Sequence, residues 1–231
     1  MGFFGRFAGV VFNPQKTFES LAEKPVWLDA LIIVLIAFSI HGFLTAPYYQ
    51  KDSLHMMENS IKLREKYGEE GYNRMIERLR NPSTVQTLVV GAGTFLIGLL
   101  AGCVLLLGFG RMSSTQGKFH QIFAACIHAN FVDKILGNAL RLVLVLSRKS
   151  VLQTSTGLAL LFPRLEVTSP AYVILSQIDF FQLWLFGILA FGLAAIFKVG
   201  LKKALVISYL VWLLKTLFTI GLGFLALSWM S

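Results

Sequence analysis

The sequence predicts an all-α fold class: a polytopic membrane protein whose helices form one bundle with five transmembrane helices. Hydrophobic residues make up 55% of the 231 residues, and charged residues make up only 14%. The apolar residues fall in blocks of about 20 or more, which is the length that a helix needs to cross a bilayer. Basic residues stand mainly at the ends of these blocks, where membrane proteins commonly carry them.

Residues 1–25 are predicted to form an amphipathic cytoplasmic segment that lies in the membrane interface. Phenylalanine and valine are mixed there with Arg6, Lys16 and Lys24, which is the composition of an interfacial helix. Asn13 followed by Pro14 predicts a break within the segment. Residues 26–231 are then predicted to form the transmembrane domain.

Five apolar blocks define the predicted spans. They are placed at about 26–46, 85–109, 121–146, 171–197 and 204–230. Span two carries no charge, whereas span three contains Asp133, Lys134 and Arg141. A charge near the centre of a span costs about 2.5–3.5 kcal/mol, several times what one apolar residue contributes, so Asp133 and Lys134 need protein partners or water.

The short loops predict the orientation of the chain. Lys198, Lys202 and Lys203 lie between spans four and five, while the tail after span five carries no charge. Because short loops rich in lysine and arginine stay in the cytoplasm, this places the C-terminus outside and, with five spans, the N-terminus inside. The same basic flanks favour contact with anionic lipid head groups.

The stretch 47–84 is predicted to be a polar helical insert between spans one and two. Apolar side chains recur there at helical spacing, and Gly68–Gly71 predicts a joint between two short amphipathic helices. The insert is interpreted as a solvated cap on the membrane domain. Binding of a partner protein or of lipid is the alternative.

Span three carries a polar stripe on one arc of about 140°. Its members are Asn130, Asp133, Lys134, Asn138 and Arg141. One interpretation is an interior face closed by hydrogen bonds and ion pairs, and the other is the lining of a path for ions, protons or lipid head groups.

Two further charges, Asp179 and Lys215, lie at matching depths in spans four and five. Counting about 1.5 Å per residue from the cytoplasmic ends pairs Asp133 with Lys215 and Arg141 with Asp179. These residues and the stripe together form the candidate intramembrane polar network.

Two weaker signals concern metal binding and helix packing. His120 and His128 are eight residues apart, about 12 Å along a helix, so they cannot share one ion, and no metal or other cofactor is expected. Gly98 and Gly102 form a small-xxx-small pattern in span two, which predicts close approach of another helix of the same chain or, alternatively, of a second copy.

Other functional classes lack support in the sequence. No nucleophile elbow, phosphate-binding glycine loop or paired acidic motif is found in the polar loops, so an enzyme is not predicted. The net charge of +9 is dispersed rather than gathered on one polar surface, so nucleic-acid binding is not predicted either.

The chain resembles the Yip1-domain membrane proteins, and most of all their prokaryotic branch. The resemblance rests on order and spacing in three stretches. They are Val11–Phe18 followed by Lys24–Trp27, the approach to span three at Gly117–Gln121, and Ile178–Trp184 running into Gly192–Ala195. It implies five spans with a cytoplasmic N-terminus. Span three departs from the family pattern, where small residues and proline are expected rather than His128, Asp133 and Lys134.

The resemblance also bears on partners and location. Eukaryotic relatives act in vesicle traffic with small Rab-type GTPases and with one another, but this chain lacks their long soluble N-terminal region, so a Rab-type partner is not expected. The expected location is a prokaryotic inner membrane.

The leading functional hypothesis is a non-enzymatic membrane organiser or scaffold that works through helix–helix and partner contacts. The alternative is a channel or transporter for ions, protons or small solutes along the polar face of span three, and lipid scrambling is a third possibility. The hypotheses differ in whether Asp133, Lys134 and Lys215 enclose water or are closed off as ion pairs.

Overall fold

The computed structural model describes residues 2–58, 61–152, 154 and 156–230. Within them the chain is mainly α-helical, which confirms the predicted helical membrane bundle. The α-helices are α1 Phe3–Phe12, α2 Pro14–Glu23, α3 Leu28–Glu58, α4 Ile61–Arg80, α5 Thr84–Arg111, α6 Phe119–Asn130, α7 Asn138–Arg148, α8 Pro170–Gln177, α9 Phe180–Phe197 and α10 Leu201–Met230. A π-helical segment, Phe131–Gly137, joins α6 to α7, and Leu158–Leu161 forms a 3₁₀ turn.

Four helices of the described chain are long and apolar enough to cross a membrane. They are Leu28–Glu58, Val85–Arg111, Phe180–Phe197 and Leu201–Ser228, which correspond to predicted spans one, two, four and five. Predicted span three is the composite of α6, the π-helical segment and α7, and its charges set it apart from the other four. The count of five spans therefore stays a prediction.

Helix α9 lies at the centre of the bundle. Its sequence is apolar on every side, as expected for a helix enclosed by others, and it packs against α2, α6 and α10. Of its most apolar stretch, 56% is buried, against 17%, 6% and 11% for the other three candidate spans. The other three thus present most of their apolar surface outward, as lipid-facing helices do.

The N-terminal segment forms two helices that dock on the bundle. Pro14 begins α2 immediately after the break predicted at Asn13. Phe18 of α2 is buried against α9, and a Cβ at Gly192 would lie only 3.0 Å from its ring. Phe4 and Phe12 of α1 point outward with 83% and 85% of their surface exposed. The segment therefore packs on the bundle and leaves apolar side chains exposed, and its place in the membrane interface stays a prediction.

The insert differs in detail from the prediction. Helix α3 continues through Pro47 to Glu58, and the second helix, α4, is kinked at Gly68, where φ is 67°. Glycine accepts this left-handed conformation because it has no Cβ. Leu63, Tyr72 and Ile76 of α4 pack with the end of α3 in a small core of their own.

Residues 171–197, predicted as one span, form two helices. The chain leaves helical geometry at Ile178 and Asp179, and α9 begins after them. The carboxylate of Asp179 accepts hydrogen bonds from the backbone N–H groups of Phe181 at 2.8 Å and Gln182 at 3.1 Å. Asp179 is therefore the N-cap of α9, which satisfies donors that the start of a helix leaves unpaired.

Glycines at the end of α5 and in the following loop make room for Phe197, the last residue of α9. A Cβ at Gly110 would lie 1.9 Å from the Phe197 ring, and one at Gly117, where φ is 95°, would lie 2.7 Å from it. We expect Gly110→Ala to lower the free energy of unfolding by about 1–3 kcal/mol, because the added methyl overpacks the core. Thermal unfolding of the purified protein in detergent, followed by tryptophan fluorescence, measures the change.

Gly108→Ala is the matched control on the same helix, since a Cβ there meets nothing within 4 Å. It should be neutral or slightly stabilising, because alanine favours helix more than glycine does. Combining Gly110→Ala with Phe197→Leu should recover part of the loss. Equal behaviour of the Gly108 and Gly110 variants would refute this account of the packing.

Candidate functional site

The polar stripe of span three lies where the helix widens from α to π geometry. Asp133 and Lys134 belong to the π-helical segment, and Asn138 and Arg141 to the first turns of α7. Such wide turns are rare and frequently occur at functional sites. The side chain of Asp133 is only 1% exposed, so its charge needs partners within the protein.

Arg141 joins three parts of the chain. Its Nη2 group lies 2.8 Å from Oδ1 of Asp133 and 3.0 Å from Oδ1 of Asp179. Its Nε donates to the Thr156 hydroxyl at 3.1 Å, and its Nη1 donates to Oδ1 of Asn138 at 3.0 Å. The guanidinium thereby ties the π-helical segment to the loop before α8 and to the N-cap of α9.

The remaining oxygens of both carboxylates are also occupied. Oδ2 of Asp133 lies 2.7 Å from Nζ of Lys134. The Thr156 hydroxyl donates to Oδ2 of Asp179 at 2.5 Å. Two carboxylates and two cations thus form one connected group, which we call the Arg141 cluster: Asp133, Lys134, Arg141, Asp179 and Thr156.

Lys215 of α10 stands beside the Arg141 cluster without an ion pair in the described chain. Its Nζ donates to the side-chain oxygen of Gln182 at 2.6 Å. The predicted pair between Arg141 and Asp179 is confirmed, whereas the predicted pair between Asp133 and Lys215 is wrong. The π turn directs both oxygens of Asp133 to Arg141 and Lys134 and leaves none for Lys215.

A half-open cavity of about 310 Å³ lies between the Arg141 cluster and Lys215. Besides the charged residues, it is lined by neutral polar side chains and one indole that the sequence analysis missed. These are Ser176 and Gln177 of α8, Gln182 of α9, and Trp212, Thr216 and Thr219 of α10. The signal available in the sequence was the clustering of hydroxyl and amide side chains near Lys215 and Asp179 within otherwise apolar blocks.

Asn130 and His128 are buried away from the cavity. The Asn130 amide donates to the carbonyl of Cys126 at 2.8 Å, within its own helix. The His128 ring is fully enclosed, and its Nε2 accepts from Nε of Arg6 at 3.1 Å. Since that nitrogen is an acceptor, Nδ1 carries the proton and donates to the Ala124 carbonyl at 2.8 Å.

Arg6 therefore fastens α1 to the interior of the bundle. It also forms an ion pair with Asp29 at the start of α3.

His120 is exposed at the other end of α6, apart from His128. No group of three or more His, Cys, Asp or Glu side chains that would hold a metal ion occurs among the described residues.

Gly98 and Gly102 do not pack against another part of the described chain. A Cβ at either position would meet no atom within 4 Å. The prediction that they bring two helices of the same chain together is therefore wrong. Their use against a second copy stays a prediction.

Comparison with known protein families gives a match to most of the chain. Residues 8–223, nearly the whole chain, match the family model of the Yip1 domain. Comparisons with curated proteins and with solved structures each found no match. The matched range contains every residue of the Arg141 cluster and of the cavity lining.

We expect Arg141→Met to destabilise the protein strongly. The substitution removes the guanidinium that pairs with both Asp133 and Asp179. Removal of one partner from a buried ion pair typically costs about 3–5 kcal/mol. Lys215→Met is the matched control, since it removes a cation from the same cavity but breaks only a hydrogen bond to a neutral amide, worth about 1 kcal/mol. Denaturation of both variants in the same detergent measures the difference.

Arg141→Lys should fall between the two, because lysine keeps the charge but not the planar fork that reaches both carboxylates. If Arg141→Met and Lys215→Met lose the same stability, the Arg141 cluster does not hold the bundle together.

Proposed function

The chain belongs to the Yip1 domain family of integral membrane proteins, and from that premise we propose that it is a non-enzymatic membrane organiser. It acts as a scaffold through helix–helix contacts, with a second copy of itself or with other membrane proteins. We place it in a prokaryotic inner membrane, with five spans and the N-terminus in the cytoplasm. Its lipid contacts include anionic head groups at the basic loop between α9 and α10.

The open small-residue face of α5 carries this proposal. Gly98 and Gly102 leave space on a helix whose most apolar stretch is only 6% buried. Two glycines four residues apart let a second helix approach closely, and close packing is what drives helix association where lipid and side chains are equally apolar. Exposed Leu105 lies within about 60° of both glycines around the helix and extends the surface available to a partner.

The closed state of the Arg141 cluster supports the same proposal. Asp133 is almost fully enclosed, and Arg141 and Lys134 neutralise it directly. Charges that are paired and hydrogen-bonded within the protein fix the packing of three chain segments. The intramembrane charges then serve to hold the scaffold in one shape.

The proposal predicts that α5 mediates self-association. Gly98→Ile combined with Gly102→Ile should weaken dimerisation at least tenfold, because the larger side chains keep the two helices apart. Energy transfer between labelled copies, measured in liposomes over a range of protein-to-lipid ratios, gives the dissociation constant.

Gly93→Ile is the matched control, since Gly93 is also open but lies about 140° and 180° around α5 from Gly98 and Gly102. It should leave the dissociation constant unchanged. A native chain that stays monomeric at every ratio tested would exclude self-association, and equal effects of the two substitutions would exclude this face.

Transport is the second candidate function, and the half-open polar cavity beside the Arg141 cluster favours it. Ions, protons or small solutes would use the polar side chains that line this cavity. The test is flux through the purified protein in liposomes, compared between the native chain and Lys215→Met. Flux that falls with Lys215→Met supports transport, and absence of flux leaves the organiser proposal alone.

The same liposomes report on lipid scrambling. Exchange of labelled lipid between the leaflets at the rate of empty liposomes would exclude it.

A further inference from the structure

The cavity lining carries more positive than negative charge, and within the described chain it has N–H donors that lack an acceptor. All four carboxylate oxygens of Asp133 and Asp179 already have partners in Arg141, Lys134, Thr156 and the first turn of α9. Three cations face two carboxylates, so the charged lining carries a net charge of one positive unit. The ammonium of Lys215 has three N–H groups, and its hydrogen bond to Gln182 uses one of them.

Lys215 lies near the middle of α10, where an ammonium group without a countercharge is least favourable. It is the fifteenth residue of α10, about 21 Å from the start of the helix. The neighbouring Leu214 and Leu217 are exposed apolar side chains, as expected of a surface that faces lipid. An ionised group at this depth requires a countercharge, water or a path to the interface.

We propose that this cavity binds a phosphate-type anion, either the phosphodiester of a lipid head group or free inorganic phosphate. Lys215 supplies the uncompensated charge, and Lys134, paired with Asp133, is a further cation of the lining. Gln177, Gln182 and Trp212 add N–H groups to the lining. The binding group is thus an ammonium with amide and indole donors, which matches an oxyanion with several acceptor oxygens.

The dimensions of the cavity fit this class of ligand. Its volume of about 310 Å³ is many times the roughly 10–15 Å³ that one water molecule needs on the same scale. This space holds a tetrahedral phosphate group with a short substituent. Because the cavity is open on one side, the remainder of a larger lipid can stay outside it.

A cation is the wrong ligand for this cavity. A metal or organic cation would need a carboxylate oxygen that it can reach. Oδ2 of Asp133 accepts no hydrogen bond from the described residues, but it is buried and lies 2.7 Å from the ammonium of Lys134. A cation would also add to an excess of positive charge in a medium of low dielectric constant, where like charges repel strongly.

The inference rests on the cavity invoked for the second candidate function and names its ligand class, but binding does not require transport. A site can hold an anion at rest without moving it across the membrane. The dimerisation and flux experiments can therefore fail while binding is observed, and binding can fail while dimerisation is observed.

The test measures binding to the full-length purified protein with two probes. Inorganic phosphate is titrated into protein in a zwitterionic detergent, with thermal stability as the readout. Phosphatidylglycerol is offered against a galactolipid, which carries no phosphate, in nanodiscs, and the bound lipid is measured by native mass spectrometry after release. We expect at least one anionic probe to bind the native chain and Lys215→Met to weaken that binding at least tenfold.

Two variants control the experiment. Lys51→Met removes an exposed lysine of α3 that does not line the cavity and should bind as the native chain does. Lys215→Arg keeps the positive charge and should retain most of the affinity. Because Lys215→Met replaces an ammonium by an apolar side chain in an apolar helix, the variant is expected to fold, and a single cooperative thermal unfolding transition without ligand verifies this.

The outcomes separate the two sources of the anion. Binding of both probes, with competition between them, identifies the phosphate group as the recognised element, and binding of phosphatidylglycerol alone identifies a lipid head group. If neither anion binds, or if Lys51→Met and Lys215→Met weaken binding equally, the cavity is not an anion site and the inference is overturned.

Discussion

Arg141 forms ion pairs with two aspartates that lie 8 and 38 residues away in the chain, and much of the bundle depends on this arrangement. Asp133 belongs to the π-helical segment, and Asp179 starts the central helix α9. A guanidinium is planar and has five N–H donors, so it can hold two carboxylates and two neutral oxygens at once. The direction of span three, the start of α9 and the path of the loop before α8 are therefore fixed together.

The cost of burying these charges explains why the cluster is so completely paired. Moving an ion out of water costs several kcal/mol even after the protein relaxes, and only close ion pairs with further hydrogen bonds offset it. Every carboxylate oxygen of the cluster has such a partner. Lys215 is the exception, because its partner is a neutral amide, and this difference separates the structural part of the site from the part available to a ligand.

The central position of α9 links the polar site to the two ends of the bundle. Phe197 at one end of α9 is enclosed by Gly110 and Gly117, and Asp179 at the other end belongs to the Arg141 cluster. Between them, Gly192 receives Phe18 of the N-terminal segment. A helix that is apolar on all sides gains the most from being surrounded, so α2, α6 and α10 pack around it.

The sequence by itself determined the helical membrane bundle, because the length and apolarity of each block directly reflect the thickness of the bilayer. It also gave the break at Asn13, the joint at Gly68 and the pairing of Arg141 with Asp179, since these follow from local geometry and from depth along a helix. Tertiary structure alone decided the rest. Depth along a helix does not define the direction in which a side chain points around it, so depth alone predicts the wrong partner, Asp133, for Lys215. The π turn that directs Asp133 towards Arg141 has no pattern in the sequence. The cavity, likewise, exists only because α8, α9 and α10 converge on the Arg141 cluster from separate parts of the chain.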